Sequence, residues 1–297
     1  MIVMPLRLRS IIRRTGHKKL REMRHIFRKH LPVGRKVDFI IAGTQKGGTT
    51  ALTTFLRQHP NICMPTIKEL HFFDCDENFL LKAVDYTQYH SQFTVNRDTL
   101  VFGESTPIYM YWQPTFERVR KYNAEMKTVI LLRNPIERAY SHWNMEHSRG
   151  ADDLCFSEAI RAEEKRILGA APLQHRVYSY IDRGYYDAQI KRIWSFFPRS
   201  QVLVLKSDDL RADPQCVLER IARFLCVDSV RTLNKVDAVD AFVGKYNEAM
   251  SSEEWDYLAK KFEPSIRELE KMLDWKLDGW LARTSLQASP AGGRNTG

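Results

Sequence analysis

Gly43-Thr44-Gln45-Lys46-Gly47-Gly48-Thr49-Thr50 concentrates glycines, hydroxyls and one ammonium in a single short run. Glycine lets the backbone turn its N–H groups toward one point, and a helix beginning directly afterwards adds the positive end of its dipole. The segment is built to hold an anion. It resembles a P-loop with one displacement: a nucleotide-hydrolysing P-loop sets its lysine directly after the last glycine, where this chain has Thr49 and carries its lysine at Lys46 instead. No strand end supplies an obvious acidic ligand for Mg²⁺. A loop that grips phosphate without the kinase lysine position points to another transferred group, and sulfuryl fits, because SO₃ carries less charge than a phosphoryl group and can move without a metal.

Two further segments carry chemistry. In Thr128-Val-Ile-Leu-Leu-Arg133-Asn-Pro135-Ile-Glu-Arg138-Ala-Tyr-Ser141, Arg133 closes an apolar strand, Pro135 opens a helix, and Ser141 lies under two turns in. The fork of Arg133 and the hydroxyl of Ser141 can then converge on one phosphate. In Lys68-Glu69-Leu70-His71-Phe72-Phe73-Asp74, Glu69 and His71 are two apart. In extended chain both would face one cleft, a carboxylate beside an imidazole, suited to taking a proton from a nucleophile. Standing alone, a Glu-x-His is a solvated edge; the other two segments give it meaning.

Together these segments resemble the sulfotransferase family that uses 3′-phosphoadenosine 5′-phosphosulfate (PAPS), and within it the bacterial and heparan-sulfate-type branch. The resemblance covers about residues 37 to 282. It implies that Lys46, Gly47, Gly48, Thr49 and Thr50 hold the 5′-phosphosulfate, that Arg133 and Ser141 hold the 3′-phosphate, and that Glu69 or His71 is the catalytic base, Glu69 being the usual candidate in the family and His71 supporting or sharing the role. It also implies a late loop, Phe242-Val243-Gly244-Lys245, in which Gly244 and Lys245 close over the nucleotide, and it makes Lys46 catalytic through its contact with the bridging oxygen. The product is 3′,5′-ADP, the acceptor a carbohydrate or glycolipid, and no metal takes part. One departure stands out: in Gly103-Glu104-Ser105-Thr106-Pro107, heparan-type members often carry a lysine where this chain has Ser105, which puts a heparan acceptor in doubt. Arg183-Gly184-Tyr185-Tyr186 and Asp274 to Leu281 are similar to further family segments, expected as core. The competing readings are a P-loop kinase or NTPase, and a non-catalytic module that docks through its N-terminus.

The elements that must position these residues follow from pattern. Short apolar runs at Val37–Ala42, Leu100–Gly103, Thr128–Leu132 and Val202–Leu205 alternate with helix-like stretches, including Thr49–His59, 157–168, 174–196 and Ser252–Leu273. Such alternation predicts an α/β fold, a P-loop-like parallel sheet with helices on both faces. Ser252 reads as an N-cap, and Pro264 should kink or split the last helix. With 297 residues and 43% hydrophobic side chains the chain can bury a large core.

The net charge of +10 is unevenly spread. Residues 1–36 hold twelve Lys and Arg against Glu22 alone, so the remainder is close to neutral, which argues against a nucleic-acid surface. This basic leader carries Leu20, Met23, Phe27 and Leu31 at helical spacing, a narrow apolar stripe suited to peripheral contact with anionic lipid. The expected organisation is a leader at 1–36, a catalytic domain at 37–283 and a disordered tail at 284–297. Five scattered cysteines, no CxxC pair, no glycosylation sequon and no run of apolar residues long enough to span a bilayer give a cytoplasmic expectation, with contact at the inner membrane surface through the leader.

Overall fold

The computed structural model describes residues 31, 34–81, 83–171, 174–228 and 249–283. Five parallel strands form one sheet: β1 (Phe39–Gly43), β2 (Ile62–Cys63), β3 (Val101–Ser105), β4 (Lys127–Leu132) and β5 (Val202–Lys206), in the order β2-β3-β1-β4-β5. The principal helices, in chain order, are α1 (Thr49–Leu56), α2 (Thr87–His90), α3 (Thr115–Tyr122), α4 (Pro135–Ser148), α5 (Phe156–Leu168), α6 (Tyr186–Phe196), α7 (Ser207–Ala212), α8 (Pro214–Leu225) and α9 (Ser252–Leu273).

Period two along a strand sends alternate side chains to opposite faces, and here both faces are covered. Phe39, Ile41, Val129, Leu131 and Leu205 meet Leu52 and Phe55 of α1 and Val217 and Ile221 of α8. Ile40, Ala42, Ile130 and Leu132 belong to the larger core on the other face, with Phe116, Ile136, Ile160, Ile190 and Phe262. All five residues of β1 are buried, and it pairs with β3 on one side and β4 on the other. The central strand is therefore the part least able to move. Leu31, placed by the sequence in the leader, is 7% exposed and joins the larger core; the other three residues of that stripe lie outside the described residues.

Pro264 does not split the last helix, which runs unbroken from Ser252 to Leu273. The cap is Ser251, one residue earlier than expected: its hydroxyl accepts from the Glu254 amide, and the Glu254 side chain reaches back to the Ser251 amide. The loss of one backbone hydrogen bond at proline is outweighed by an apolar stripe of Trp255, Leu258, Phe262, Ile266 and Leu269, all buried. The expected helix at 174–196 forms only from Tyr186. Upstream, the amides of Val177 and Tyr178 donate to His175 Nδ1, and those of Ile181 and Asp182 donate to the Glu163 carboxylate, so side chains take the bonds a helix would have used.

Candidate active site

The Gly43–Thr50 loop leaves the C-terminal edge of β1 and is held to the neighbouring strand. The Thr44 amide donates to the Leu131 carbonyl of β4 at 2.9 Å, and the Gly47 amide turns back to the Thr44 carbonyl at 2.9 Å. Two of the loop's glycines have no room or no backbone freedom for a side chain. A Cβ on Gly47 would sit 2.6 Å from the Leu131 carbonyl oxygen, and Gly48 has φ +93°, the left-handed region. Gly48 is also the N-cap of α1 and has no side chain to offer, so no side chain caps the first-turn amides of Thr49 and Thr50.

Lys46 also has a left-handed backbone, with φ 68°. Its ammonium pKa is pushed down, chiefly by burial and then by Arg133 and Arg149, while Glu146 and Glu69 act in the opposite direction. Those four neighbours place Lys46 between the β4 edge, the C-terminal end of α4 and the Glu69 segment. Arg133 closes β4, its Nη1 donating to the Lys46 carbonyl at 3.4 Å and its Nε and Nη2 to Glu137 Oε2 at 3.1 and 2.9 Å. Asn134 caps α4 by accepting from the Ile136 amide and ties that turn to the C-terminal segment by donating to the Trp280 carbonyl. Ser141 lies on α4, buried at 4% exposure.

Glu69 and His71 do face each other, though not as extended chain. Both have positive φ, 66° and 51°, and it is this turn that brings His71 Nε2 within 3.6 Å of Glu69 Oε2. Lys68 Nζ lies 2.6 Å from Glu69 Oε1, and His71 Nδ1 is 3.0 Å from Asp74 Oδ2. Burial alone would raise the Glu69 pKa; the His71 hydrogen bond and Lys68 overcome it and hold the carboxyl at about 2. The Asp74 and Glu69 hydrogen bonds outweigh burial at His71 and raise it to about 9. Near neutrality the pair is a carboxylate beside an imidazolium.

The turn is fixed from below. The Glu69 amide donates to the Ser105 carbonyl at the end of β3, and the Phe72 and Phe73 amides converge on the Tyr109 hydroxyl. Ser105 contributes through its backbone: its hydroxyl is buried and has no partner among the described residues. Phe72 and Phe73 are buried core residues packed against Tyr89.

Asp74, Arg176 and Arg183 were not singled out by sequence reasoning as site residues. Asp74 is fully buried between His71 and Arg176, whose Nη1 donates to it at 2.6 Å. Arg183 is 2% exposed and donates to the side chain of Gln45 in the loop. A basic residue far along the chain gives no local sign of this; only the Arg183-Gly184-Tyr185-Tyr186 motif marked the place. Gly244 and Lys245 lie outside the described residues.

The donor set suits a multiply charged anion. Arg138 is wholly buried, with Nε and Nη1 lacking a hydrogen-bond partner among the described residues, and neither ring nitrogen of buried His142 makes a hydrogen bond there, Nε2 lying 3.6 Å from Glu146 Oε1. Burial, followed by Arg183, Arg138, Lys46 and Arg149, drives the His142 pKa well below its usual value. So much positive charge gathered behind an uncapped helix start favours a negative ligand in front of it.

Known proteins are similar to this chain. A family model described as Sulfotransferase domain matches residues 36–263. The human bifunctional heparan sulfate N-deacetylase/N-sulfotransferase 2 is 28% identical over 208 residues, covering 67% of this chain and 23% of that protein. The human enzyme numbered 3 is 29% identical over 214 residues, covering 69% and 24%. The chain thus spans about a quarter of the length of these curated relatives. Among solved structures it is similar to a sulfotransferase from Alicyclobacillus acidocaldarius, with a TM-score of 0.71 and 28% identity over 83% of this chain and 99% of that one.

Proposed function

The chain belongs to the sulfotransferase domain family, and from that premise we propose that it moves a sulfuryl group from PAPS to a hydroxyl or amine of a carbohydrate or glycolipid acceptor. The observation that carries the reading is the meeting of Lys46 and Arg133, 87 positions apart, through the 3.4 Å bond from the guanidinium to the Lys46 carbonyl. One end of a doubly phosphorylated adenosine would lie on the loop and the other on the β4 edge. The family match does not favour the kinase or NTPase alternative.

The donor supplies an activated sulfuryl group with a phosphate as leaving group; the chain holds, orients and neutralises it. The Gly47 and Gly48 backbone, the Thr49 and Thr50 amides and hydroxyls, and the Lys46 ammonium would hold the phosphosulfate, with Lys46 placed to meet charge that grows on the departing oxygen. Arg133 would hold the 3′-phosphate, exchanging some of its contact with Glu137 for it, with Ser141 as second donor. Gly244 and Lys245 remain the family's expectation for the covering loop.

Glu69 is the base in this reading. His71, held as imidazolium near neutral pH, has no lone pair with which to accept a proton, whereas Glu69 is ionised. A carboxylate of such low pKa is a weak base toward a free hydroxyl. It suits proton transfer that follows bond formation to sulfur, when the attacking oxygen has become strongly acidic. His71 and Lys68 then orient Glu69 and hold its charge.

The acceptor class rests on the names of the curated relatives, which act on heparan sulfate. Among the described residues no helix is long and apolar enough to cross a membrane, and the basic leader at 1–36 supports a peripheral contact with anionic lipid. The test compares nucleotides by calorimetric melting. With no added metal, 3′,5′-ADP at about 100 times its Kd should stabilise the protein by about 2.7 kcal/mol, ATP should not match it, and Arg133→Ala should erase the preference. Mg²⁺-dependent ATP turnover with no response to 3′,5′-ADP would reject the assignment.

A further inference from the structure

Arg183 stands between the two halves of the site. Its Nη1 donates to Gln45 Oε1, one residue before Lys46, and its Nη2 donates to the Arg176 carbonyl. Arg176 grips Asp74 through Nη1 and, with Nη2, the Asp74 carbonyl, and Asp74 holds His71 at 3.0 Å. The connection from loop to base segment is unbroken: Gln45, Arg183, Arg176, Asp74, His71, Glu69.

The guanidinium itself is expensive to keep. It is 2% exposed, lies 4.8 Å from the Tyr111 ring centroid, and bonds Ser179 Oγ through Nε at 2.7 Å. Its hydrogen-bond partners are a hydroxyl, an amide oxygen and a backbone carbonyl, none of them a carboxylate, and burial lowers its pKa to about 10. A buried charge without an opposite partner usually destabilises a fold, and a well-packed apolar side chain is often the more stable choice. Its nitrogens instead tie two segments together, the donor loop through Nη1 and the Arg176–Ser179 stretch through Nη2 and Nε.

We propose that Arg183 is a positioning residue that fixes the distance between the phosphate-gripping loop and the Glu69–His71 base, so that donor and acceptor halves are set as one unit. The proposal rests on the sulfotransferase reading for its effect on rate, and on geometry alone for the coupling. A misplacement of about 1 Å in such a site costs roughly 100-fold in rate.

The experiment is a double-mutant cycle of Gln45→Ala and Arg183→Met, read by transfer kinetics and by amide hydrogen exchange. Gln45→Ala cuts the tie from the loop side without removing the buried charge, which guards against misfolding of Arg183→Met. Each single variant should lower kcat by about tenfold to 100-fold with acceptor KM little changed, and the double variant should be no worse than the poorer single. Gln45→Ala should also speed exchange at 69–74, remote from the mutation. Independent effects that multiply, or exchange that rises in the loop alone, would overturn the proposal. Coupled exchange in a protein that transfers no sulfuryl group would leave the tie standing and reject the functional reading instead.

Discussion

At the scale of single residues, the site depends on which group carries charge. Asp74 and then Glu69, acting against burial, hold His71 as a cation up to about pH 9. Its folded pKa exceeds the usual 6.5, so its contribution to stability is whole below 6.5 and is lost as pH rises through about 9. Glu69 behaves oppositely: depressed to about 2 from 4.5, its contribution is whole above 4.5 and is lost as pH falls toward 2. Both side chains are partly exposed, so solvent screens the pair. A profile of kcat should therefore be level near neutrality and fall as pH climbs through about 9, and a His71→Asn variant should lose that alkaline limb. Glu69→Gln should lower kcat by about 100- to 10,000-fold with the Kd for 3′,5′-ADP little changed, measured by titration calorimetry; a loss confined to binding would move Glu69 out of the base role.

At the scale of elements, the loop is as much a packing device as a ligand device. Gly47→Ala would drive a methyl against the Leu131 carbonyl, a backbone atom that cannot swing aside. The expected result is a loss of about 1 to 3 kcal/mol in stability, by urea unfolding, together with loss of 3′,5′-ADP binding. Much of this architecture was legible: the runs ending at Ala42, Gly103, Leu132 and Leu205 mark four of the strands, because a strand buried on both faces reads as a bare apolar run. Ile62–Cys63 was not, since two residues make no pattern. Of the helix expected at 174–196, the part at 174–185 does not form because Glu163 and His175 bond the backbone there, a tertiary effect invisible to periodicity. Glu69 and His71 were paired correctly for the wrong geometric reason, the extended spacing giving way to a left-handed turn held by Tyr109 and Ser105. Asp74 and Arg176 meet across 102 positions, which no local signal encodes.

At the scale of the whole molecule, α9 braces the site from outside. Phe262 is fully buried and packs so closely on Gly184 that a Cβ there would lie 2.4 Å from its ring, directly beside Arg183. Phe262→Ala should cost about 3 to 5 kcal/mol, visible as a lowered urea midpoint, and should reduce kcat at temperatures where the protein stays folded. The family match stops at residue 263, inside this helix, yet Ile266, Leu269 and Trp280 beyond it are buried as deeply as the rest. Finally, the donor loop grows from β1 while the base segment hangs from Ser105 on adjacent β3, with Ile41 and Ser105 in register. Neighbouring strands lie about 4.8 Å apart, among the least elastic spacings a polypeptide offers. The sheet thus sets the coarse separation of the two segments, and the Arg183 tie has only to trim it, which leaves the more distant loops free to vary with the acceptor.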